Sequence, residues 1–265
     1  MKTGLEGQTA LITGGASGIG QGIALALAEE GMRLAIASRN PDPEFIRRLE
    51  AAGTPCVRIA ADVSQEAEAV RMVREAIEGL GGLDYYINNA AWTWHQPITR
   101  LETEAWHSTL NTNLSGAMWA TREASRHMIA RGAGGIVIIG STARFNPAYG
   151  ETAYRISKMG LRMLMENLAV ELAPYRIRVN MVTPGHYQTR MTSAVTPERE
   201  QQLLDIIPLH NFGNPLEIGR AVAFLLSDEL SPYTTGADQV IDGGLHLRPL
   251  PVLTPEESQA FNRAD

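Results

Sequence analysis

Two hydrophobic periods alternate along the chain. Short, unbroken apolar runs at 8–13, 33–38, 56–60, 83–88, 134–140 and 177–182 are bounded by glycine, proline or polar residues and predict buried strands. Between them, apolar residues recur every three or four positions over 19–30, 43–52, 65–78, 104–131 and 153–173, the spacing of one helical face. The stretch 104–131 predicts one long helix, punctuated at Asn113-Leu-Ser-Gly116. A further helix is expected at 217–227 and a last strand and turn at 236–244. Alternation of this kind predicts an α/β architecture, a doubly wound, mostly parallel sheet with helices on both faces. The polar segment 186–212 is long enough to act as a lid, and 249–265 reads as an irregular tail packed on the body or on a neighbour.

A length of 265 residues suits one domain, spanning 1–248 ahead of that tail. Hydrophobic content of 44% and charged content of 20% exclude wholesale disorder. No apolar run approaches the roughly 18 residues of a membrane span, and the chain enters a strand too early for a signal peptide. A cytoplasmic protein with no membrane partner is the expectation. The net charge of −6 argues against nucleic acid as a partner, so any anionic ligand must be held locally. Cys56 is the 1 cysteine, which rules out an intrachain disulfide or a cysteine-based metal site and fits a reducing compartment. Its apolar run makes it a poor nucleophile.

Local anion binding has a candidate in Gly14-Gly-Ala-Ser-Gly-Ile-Gly20, which joins the first strand to the first helix. Gly14, Ser17, Gly18, Ile19 and Gly20 would let the backbone approach a pyrophosphate, whose charge is met by the helix N-terminus; the same glycines could also serve a tight turn with no ligand. The second strand ends at Ser38 and Arg39, 18 residues after Gly20, where a dinucleotide fold reads the adenosine ribose. An acidic residue there would repel a 2′-phosphate, whereas Ser38 with Arg39 favours one. NADP(H) is therefore expected over NAD(H), with NAD(H) still possible. Asp62 and Val63 follow the third strand, and the Asp62 carboxylate either accepts from an adenine amine or caps the next helix. Asn89 and Ala90 end the fourth strand and Pro184-Gly185 the sixth, on the carboxyl side where ligands sit in open α/β sheets.

Tyr154 and Lys158 lie four positions apart and share a helical face. A phenol has a pKa of about 10, and a neighbouring cation favours the phenolate, so the pair is a plausible acid/base unit. Ser141 emerges at the carboxyl end of the fifth strand. Candidate substrate contacts on neighbouring loops are Trp92, Trp94, His95, Arg144, Tyr149, His186 and Tyr187. An exposed tryptophan pair lines a pocket or a subunit contact. Arg144 either binds a carboxylate, phosphate or sugar hydroxyl or is solvated.

Thr13-Gly-Gly-Ala-Ser-Gly-Ile-Gly20, Asn88-Asn-Ala90, Asn113, Ser141, Tyr154-x-x-x-Lys158, Pro184-Gly185 and Asp242-Gly-Gly244, in this order and over residues 5–248, resemble a single-domain short-chain dehydrogenase/reductase. The resemblance implies a seven-stranded Rossmann-type sheet and an oxidoreductase that moves a hydride between a nicotinamide cofactor and a carbonyl or alcohol. It assigns Tyr154 as general acid/base and Ser141 to the substrate oxygen. Lys158 would bond the nicotinamide ribose and lower the Tyr154 pKa, while Asn113 would fix a water linking Lys158 to solvent. Asp62 would contact adenine and Thr189 the nicotinamide amide. No metal is implied, and a homotetramer or dimer is expected.

Two features depart from the family: Ala91 stands where a glycine is usual, and the tail is longer than in the shortest members. The loop residues fit a small hydroxylated or carbonyl-bearing substrate, so carbonyl reductases are the first comparison. Sugar or polyol dehydrogenases and 3-oxoacyl thioester reductases come next. An epimerase or dehydratase would usually carry Gly-x-x-Gly-x-x-Gly and a second lobe, which are not seen here. A non-catalytic nucleotide-binding regulator would need none of Asn113, Ser141, Tyr154 and Lys158.

Overall fold

A computed structural model of the chain describes residues 2–187 and 196–247. In chain order these form β1 (Thr9–Thr13), α1 (Gly18–Glu29), β2 (Arg33–Ser38), α2 (Pro43–Ala51), β3 (Cys56–Ala60), α3 (Glu66–Leu80) and β4 (Tyr85–Asn88). Then come α4 (Thr103–Leu110), α5 (Gly116–Arg131), β5 (Gly134–Ile139), α6 (Thr152–Leu172), β6 (Ile177–Pro184), α7 (Pro197–Asp205), α8 (Pro215–Leu226) and β7 (Asp238–Ile241). The strands make one 7-stranded parallel sheet in the order β3-β2-β1-β4-β5-β6-β7. The expected α/β, doubly wound sheet is what the chain adopts.

The unbroken apolar runs arise because each central strand is buried on both faces. In β1, Ala10 and Ile12 pack into one core and Leu11 into the other; in β2, Leu34 and Ile36 oppose Ala35 and Ala37 in the same way. That is the two-residue period of a strand with helices above and below. One core is closed by Ile23 and Leu27 of α1 with Ile218 and Val222 of α8. The other takes Met72 and Val73 of α3, Ala120 and Ala124 of α5, and Leu161 and Met165 of α6. Burial also pushes the Cys56 thiol up to about 12, mainly through desolvation, so it is inert as a nucleophile at neutral pH.

Helix α8 is set by its N-terminal chemistry: Asn214 and Glu217 form a reciprocal capping box, and Pro215 occupies the first turn. It packs so closely on α1 that a Cβ on Gly22 would lie 2.3 Å from the Pro215 backbone carbon. Gly22→Ala is therefore expected to cost about 3 kcal/mol, the upper end of ordinary overpacking, because backbone rather than a flexible side chain must yield. Urea denaturation followed by circular dichroism measures it; a loss below about 0.5 kcal/mol would mean that the two helices separate freely.

The single long helix expected at 104–131 is two helices, α4 and α5, joined by a π-helical turn over Asn111–Ser115. Its cause is tertiary. The Asn113 amide is drawn to a distant loop, and Gly116 presses against the Val63 carbonyl, where a Cβ would approach to 2.3 Å. Such turns favour functional sites. In the segment expected to be a lid, α7 is the described helix; Thr189 and the tail 249–265 lie outside the described residues.

Sheet order reverses between β1 and β4, so helices diverge from their carboxyl ends and leave a crevice. That crevice is where the site lies.

Candidate active site

A cleft of about 680 Å³ runs along the carboxyl edge from β2 to β6. At its β1 end, Thr13 and Asn89 lock two strand ends together. The Thr13 hydroxyl accepts from the Asn89 and Ala90 amides at 3.0 and 3.1 Å, and Asn89 Nδ2 donates to the Thr13 and Gly14 carbonyls at 2.9 and 3.2 Å. This fixes the glycine loop. Gly14 and Gly18 have φ of 64° and 51°, and a Cβ on Gly20 would lie 2.1 Å from the Gly14 carbonyl oxygen. Ser17, at the N-cap of α1, makes no side-chain capping bond, which leaves the first-turn N–H groups facing the cleft.

Ser38, at the end of β2, has a buried Oγ with no hydrogen-bond partner. The neighbouring Arg39 stacks its guanidinium carbon 5.1 Å from the centre of the Trp92 ring. A glycine cradle, an uncapped helix end, an unpaired serine hydroxyl and a poised arginine fit a dinucleotide with an extra phosphate on its ribose. Ile19, Val63 and Ala90 line the same stretch of the cleft. Asp62 lines it too, but Oδ1 accepts from Ser64 N at 3.0 Å, so part of its carboxylate turns the chain into α3.

At the other end, α6 presents Tyr154 to the cleft and buries Lys158 behind it. Lys158 Nζ donates to the Ile139 carbonyl at 3.1 Å and lies 5.7 Å from the centre of the Tyr154 ring. Ser141 Oγ accepts from Ala143 N at 3.1 Å and lines the cleft beside Tyr154. Burial around the hydroxyl pushes the phenol above its ordinary range, and the Ser141 hydroxyl pulls the other way. The Lys158 ammonium is turned to a main-chain carbonyl.

Asn113 is fully buried, and its amide is committed: Oδ1 accepts from Trp92 N at 2.7 Å, while Nδ2 donates to Trp92 O at 2.8 Å and Ser157 Oγ at 2.9 Å. Its side chain thus ties the loop after β4 to α6. Gly185, at the end of β6, is pressed on Asp242, 2.6 Å from where a Cβ would sit, which explains Pro184-Gly185 at this turn. Among the described residues, no cluster of His, Cys, Asp or Glu is placed to hold a metal ion, and no helix is long and apolar enough to cross a membrane.

The family described as enoyl-(acyl carrier protein) reductase matches residues 14–246. A 3-oxoacyl-[acyl-carrier-protein] reductase of Staphylococcus aureus is 33% identical over 243 residues, covering 91% of this chain and 98% of that protein. A putative short-chain alcohol dehydrogenase of Sinorhizobium meliloti superposes with a TM-score of 0.89 at 34% identity, over 94% of this chain and 100% of that one. The chain is a short-chain dehydrogenase/reductase. A gluconate 5-dehydrogenase of Burkholderia cenocepacia in complex with NADP and tartrate superposes with a TM-score of 0.86 at 30% identity, over 92% and 97% of the two chains.

In this short-chain dehydrogenase/reductase the candidate substrate contacts separate into two groups. His95, His186 and Tyr187 line the cleft, and Tyr187 is anchored by its hydroxyl to the Ile241 carbonyl at 3.0 Å. Trp92 and Trp94 are exposed at its rim with ring centres 6.1 Å apart, the first covered by Arg39. Tyr149 is 87% exposed and points away. Arg144 is neither solvated nor in the cleft. It is buried in an ion pair with Asp238, which also binds Arg162 at 2.8 Å and the Thr183 hydroxyl at 2.6 Å. The missed cleft-wall residues are Ala61, Thr93, Thr112, Thr142 and Glu151, and Ala91 enters the sequence reading only as a departure from the family. Glu151, three positions before Tyr154, carried a readable signal of helical spacing; the others carried none.

Burial pushes the Lys158 ammonium down from 10.5 to about 8. The unfolded chain thus keeps this proton to higher pH than the folded one, and folding carries a penalty at pH 7 that fades as pH rises from 8 to 10.5. The shift corresponds to roughly 3 kcal/mol, offset in part by the bond to Ile139. Lys158→Met is expected to be about 1 kcal/mol more stable than wild type at pH 7 and less stable above pH 10.5. Urea denaturation across that range measures the difference, and one that does not move with pH would contradict the assignment.

Proposed function

We propose that this enzyme moves a hydride between NADP(H) and a small carbonyl or alcohol substrate, with Tyr154 as general acid and base. The observation that carries the reading is that one cleft wall brings Ser141 and Tyr154 together with the glycine loop and the Ser38–Arg39 pair. Gly14, Ser17, Gly18, Ile19 and Gly20 would hold the pyrophosphate, Ser38 and Arg39 the 2′-phosphate, and Asp62, Val63, Asn89, Ala90, Pro184, Gly185 and Thr189 the rest of the dinucleotide. Bound there, the nicotinamide would supply or accept the hydride.

In the reducing direction Ser141 and Tyr154 donate hydrogen bonds to the substrate carbonyl oxygen, which polarises the carbon. Tyr154 then releases its proton to that oxygen as the alcohol forms. Lys158 would hold the ribose hydroxyls of the bound dinucleotide in place of the Ile139 carbonyl, and its positive charge near the phenol would favour the phenolate that proton release creates. The Asn113 main chain connects Lys158 to solvent through water, and the cleft wall excludes bulk water from the reacting carbon.

An NADP-bound neighbour supports the cofactor reading, and a reduced cellular NADP pool favours reduction. The Staphylococcus relative supports a second reading, reduction of a 3-oxoacyl thioester, and the gluconate-named neighbour a third, oxidation of a sugar or polyol. A homo-oligomer is supported by the exposed apolar row Ile156, Met159, Met163 and Val170 along α6, which a second copy would cover. We place the protein in the cytoplasm and treat 1–248 as its one catalytic domain. A panel of ketones, aldehydes, sugars and acyl thioesters, followed by absorbance of the reduced nicotinamide, tests the function. Absence of oxidation or reduction with every class would refute it.

A further inference from the structure

The proton relay leaves one charged group beside the phenol without a role. Glu151 stands at the start of α6, one turn ahead of Tyr154, and lines the cleft with Thr93, His95 and Ser141. Its Oε2 pairs with Arg155 Nη2 at 2.8 Å, and the same guanidinium donates to the Ala143 and Asn146 carbonyls. That clamp fixes the carboxylate against the turn that follows Ser141. Its Oε1 meets His95 Nε2 at 3.1 Å, and this imidazole is 62% exposed on the loop after β4. The two segments are also stitched by Gln96 N donating to Gly150 O at 2.9 Å.

A carboxylate oxygen whose partner is an exposed imidazole can exchange that partner for a substrate hydroxyl. An ionised carboxylate accepts hydrogen bonds and donates none, so it suits hydroxyl groups and opposes a second carboxylate. Arg155 does not cancel this charge at the reaction centre. The negative charge of Glu151 raises the Tyr154 phenol's pKa more than the positive charge of Arg155 lowers it, both smaller than burial and the Ser141 hydroxyl. Thr93, across the cleft on the loop that carries His95, has a buried hydroxyl with no hydrogen-bond partner, a second polar group available to a hydroxylated ligand.

We propose that Glu151 determines substrate specificity: it accepts a hydroxyl of an uncharged, polyhydroxylated substrate and disfavours substrates that carry a carboxylate at that point. This rests on the hydride-transfer reading and narrows it to neutral polyols and their keto forms.

The test uses matched alditols and aldonates of equal chain length, which differ in one terminal group, CH2OH against carboxylate. kcat/KM for oxidation with NADP is measured for wild type, Glu151→Gln and Glu151→Asp, and dissociation constants of both ligands from the NADP-loaded protein are measured by calorimetry. Wild type is expected to favour the alditol by about tenfold or more, the order expected of a like charge a few ångströms away near a wet surface. Glu151→Gln is expected to shift that ratio toward the aldonate by about tenfold, mainly in KM and in the dissociation constant, while Glu151→Asp keeps the wild-type preference. A wild-type preference for the aldonate, or the same ratio in Glu151→Gln as in wild type, would overturn the proposal. If Glu151→Gln does not fold, the wild-type preference alone decides. Turnover of other alcohols or ketones with none of these pairs would overturn the proposal and leave hydride transfer standing, whereas no nicotinamide-dependent turnover of anything would remove both.

Discussion

Tyr154→Phe is expected to lower kcat by about 10³- to 10⁴-fold while NADP(H) binds within about twofold of wild type. The substitution removes the transferable proton and almost no volume, and general acid–base catalysis by one positioned group contributes about 10²–10⁴. The upper part of that range applies because the phenol lies beside Ser141 in a cleft wall that shields its hydroxyl, so no solvent group is placed to replace it. Apart from Lys158, one turn along α6, the cofactor contacts assigned above sit on other elements, chiefly the glycine loop and the end of β2, which the change does not touch. Steady-state absorbance of the reduced nicotinamide reads kcat, and fluorescence titration reads binding. Wild-type turnover in Tyr154→Phe would sink the acid/base assignment; loss of NADP(H) binding would mean that the phenol is a cofactor ligand first.

The double change Ser38→Asp with Arg39→Ala is expected to weaken NADP(H) by about 10- to 100-fold and to move the ratio of catalytic efficiencies toward NAD(H) by about 10²- to 10³-fold. A charge-assisted bond to phosphate is worth about 1.5–3 kcal/mol, and the new carboxylate adds repulsion of the 2′-phosphate together with a partner for a free 2′-hydroxyl. The geometry favours a large effect. The Ser38 hydroxyl is already buried and unpaired, and the Arg39 guanidinium lies 5.1 Å from the Trp92 ring centre instead of sweeping through solvent, so little ordering is left to the binding step. An unchanged efficiency ratio would show that the 2′-phosphate is read elsewhere in the cleft.

The fold was legible in the chain because its signals are local. Buried strands read as unbroken apolar runs, the glycine loop sits between β1 and α1, and Tyr154 and Lys158 are one helical turn apart. What escaped depends on partners far along the chain. Arg144 looked like a ligand-binding residue because Asp238, which neutralises it, comes 94 residues later. The break in the long helix escaped because Asn113 reaches back 21 residues to the main chain of Trp92. The contact of Glu151 with His95 spans 56 residues, so their pairing across the cleft wall left no mark in the local spacing. The tryptophan pair reads as lining a pocket or a subunit contact; both rings are exposed, and Arg39, 53 residues earlier, stands 5.1 Å from the Trp92 ring centre. Desolvation around the Tyr154 hydroxyl, which raises its pKa, likewise leaves no record in the sequence.

The central claim is that the cleft passes a hydride to a substrate carbon while Tyr154 passes a proton to the adjoining oxygen. Reduced NADP carrying deuterium at the transferable position of its nicotinamide C4, incubated with wild-type protein and the most active carbonyl substrate of the panel, tests it most directly by mass spectrometry of the product alcohol. Deuterium on the carbinol carbon, formed by wild type and at a rate reduced by about 10³-fold or more in Tyr154→Phe, is the predicted result. An alcohol that carries no deuterium at that carbon, or that forms equally fast without the phenol, would contradict the account.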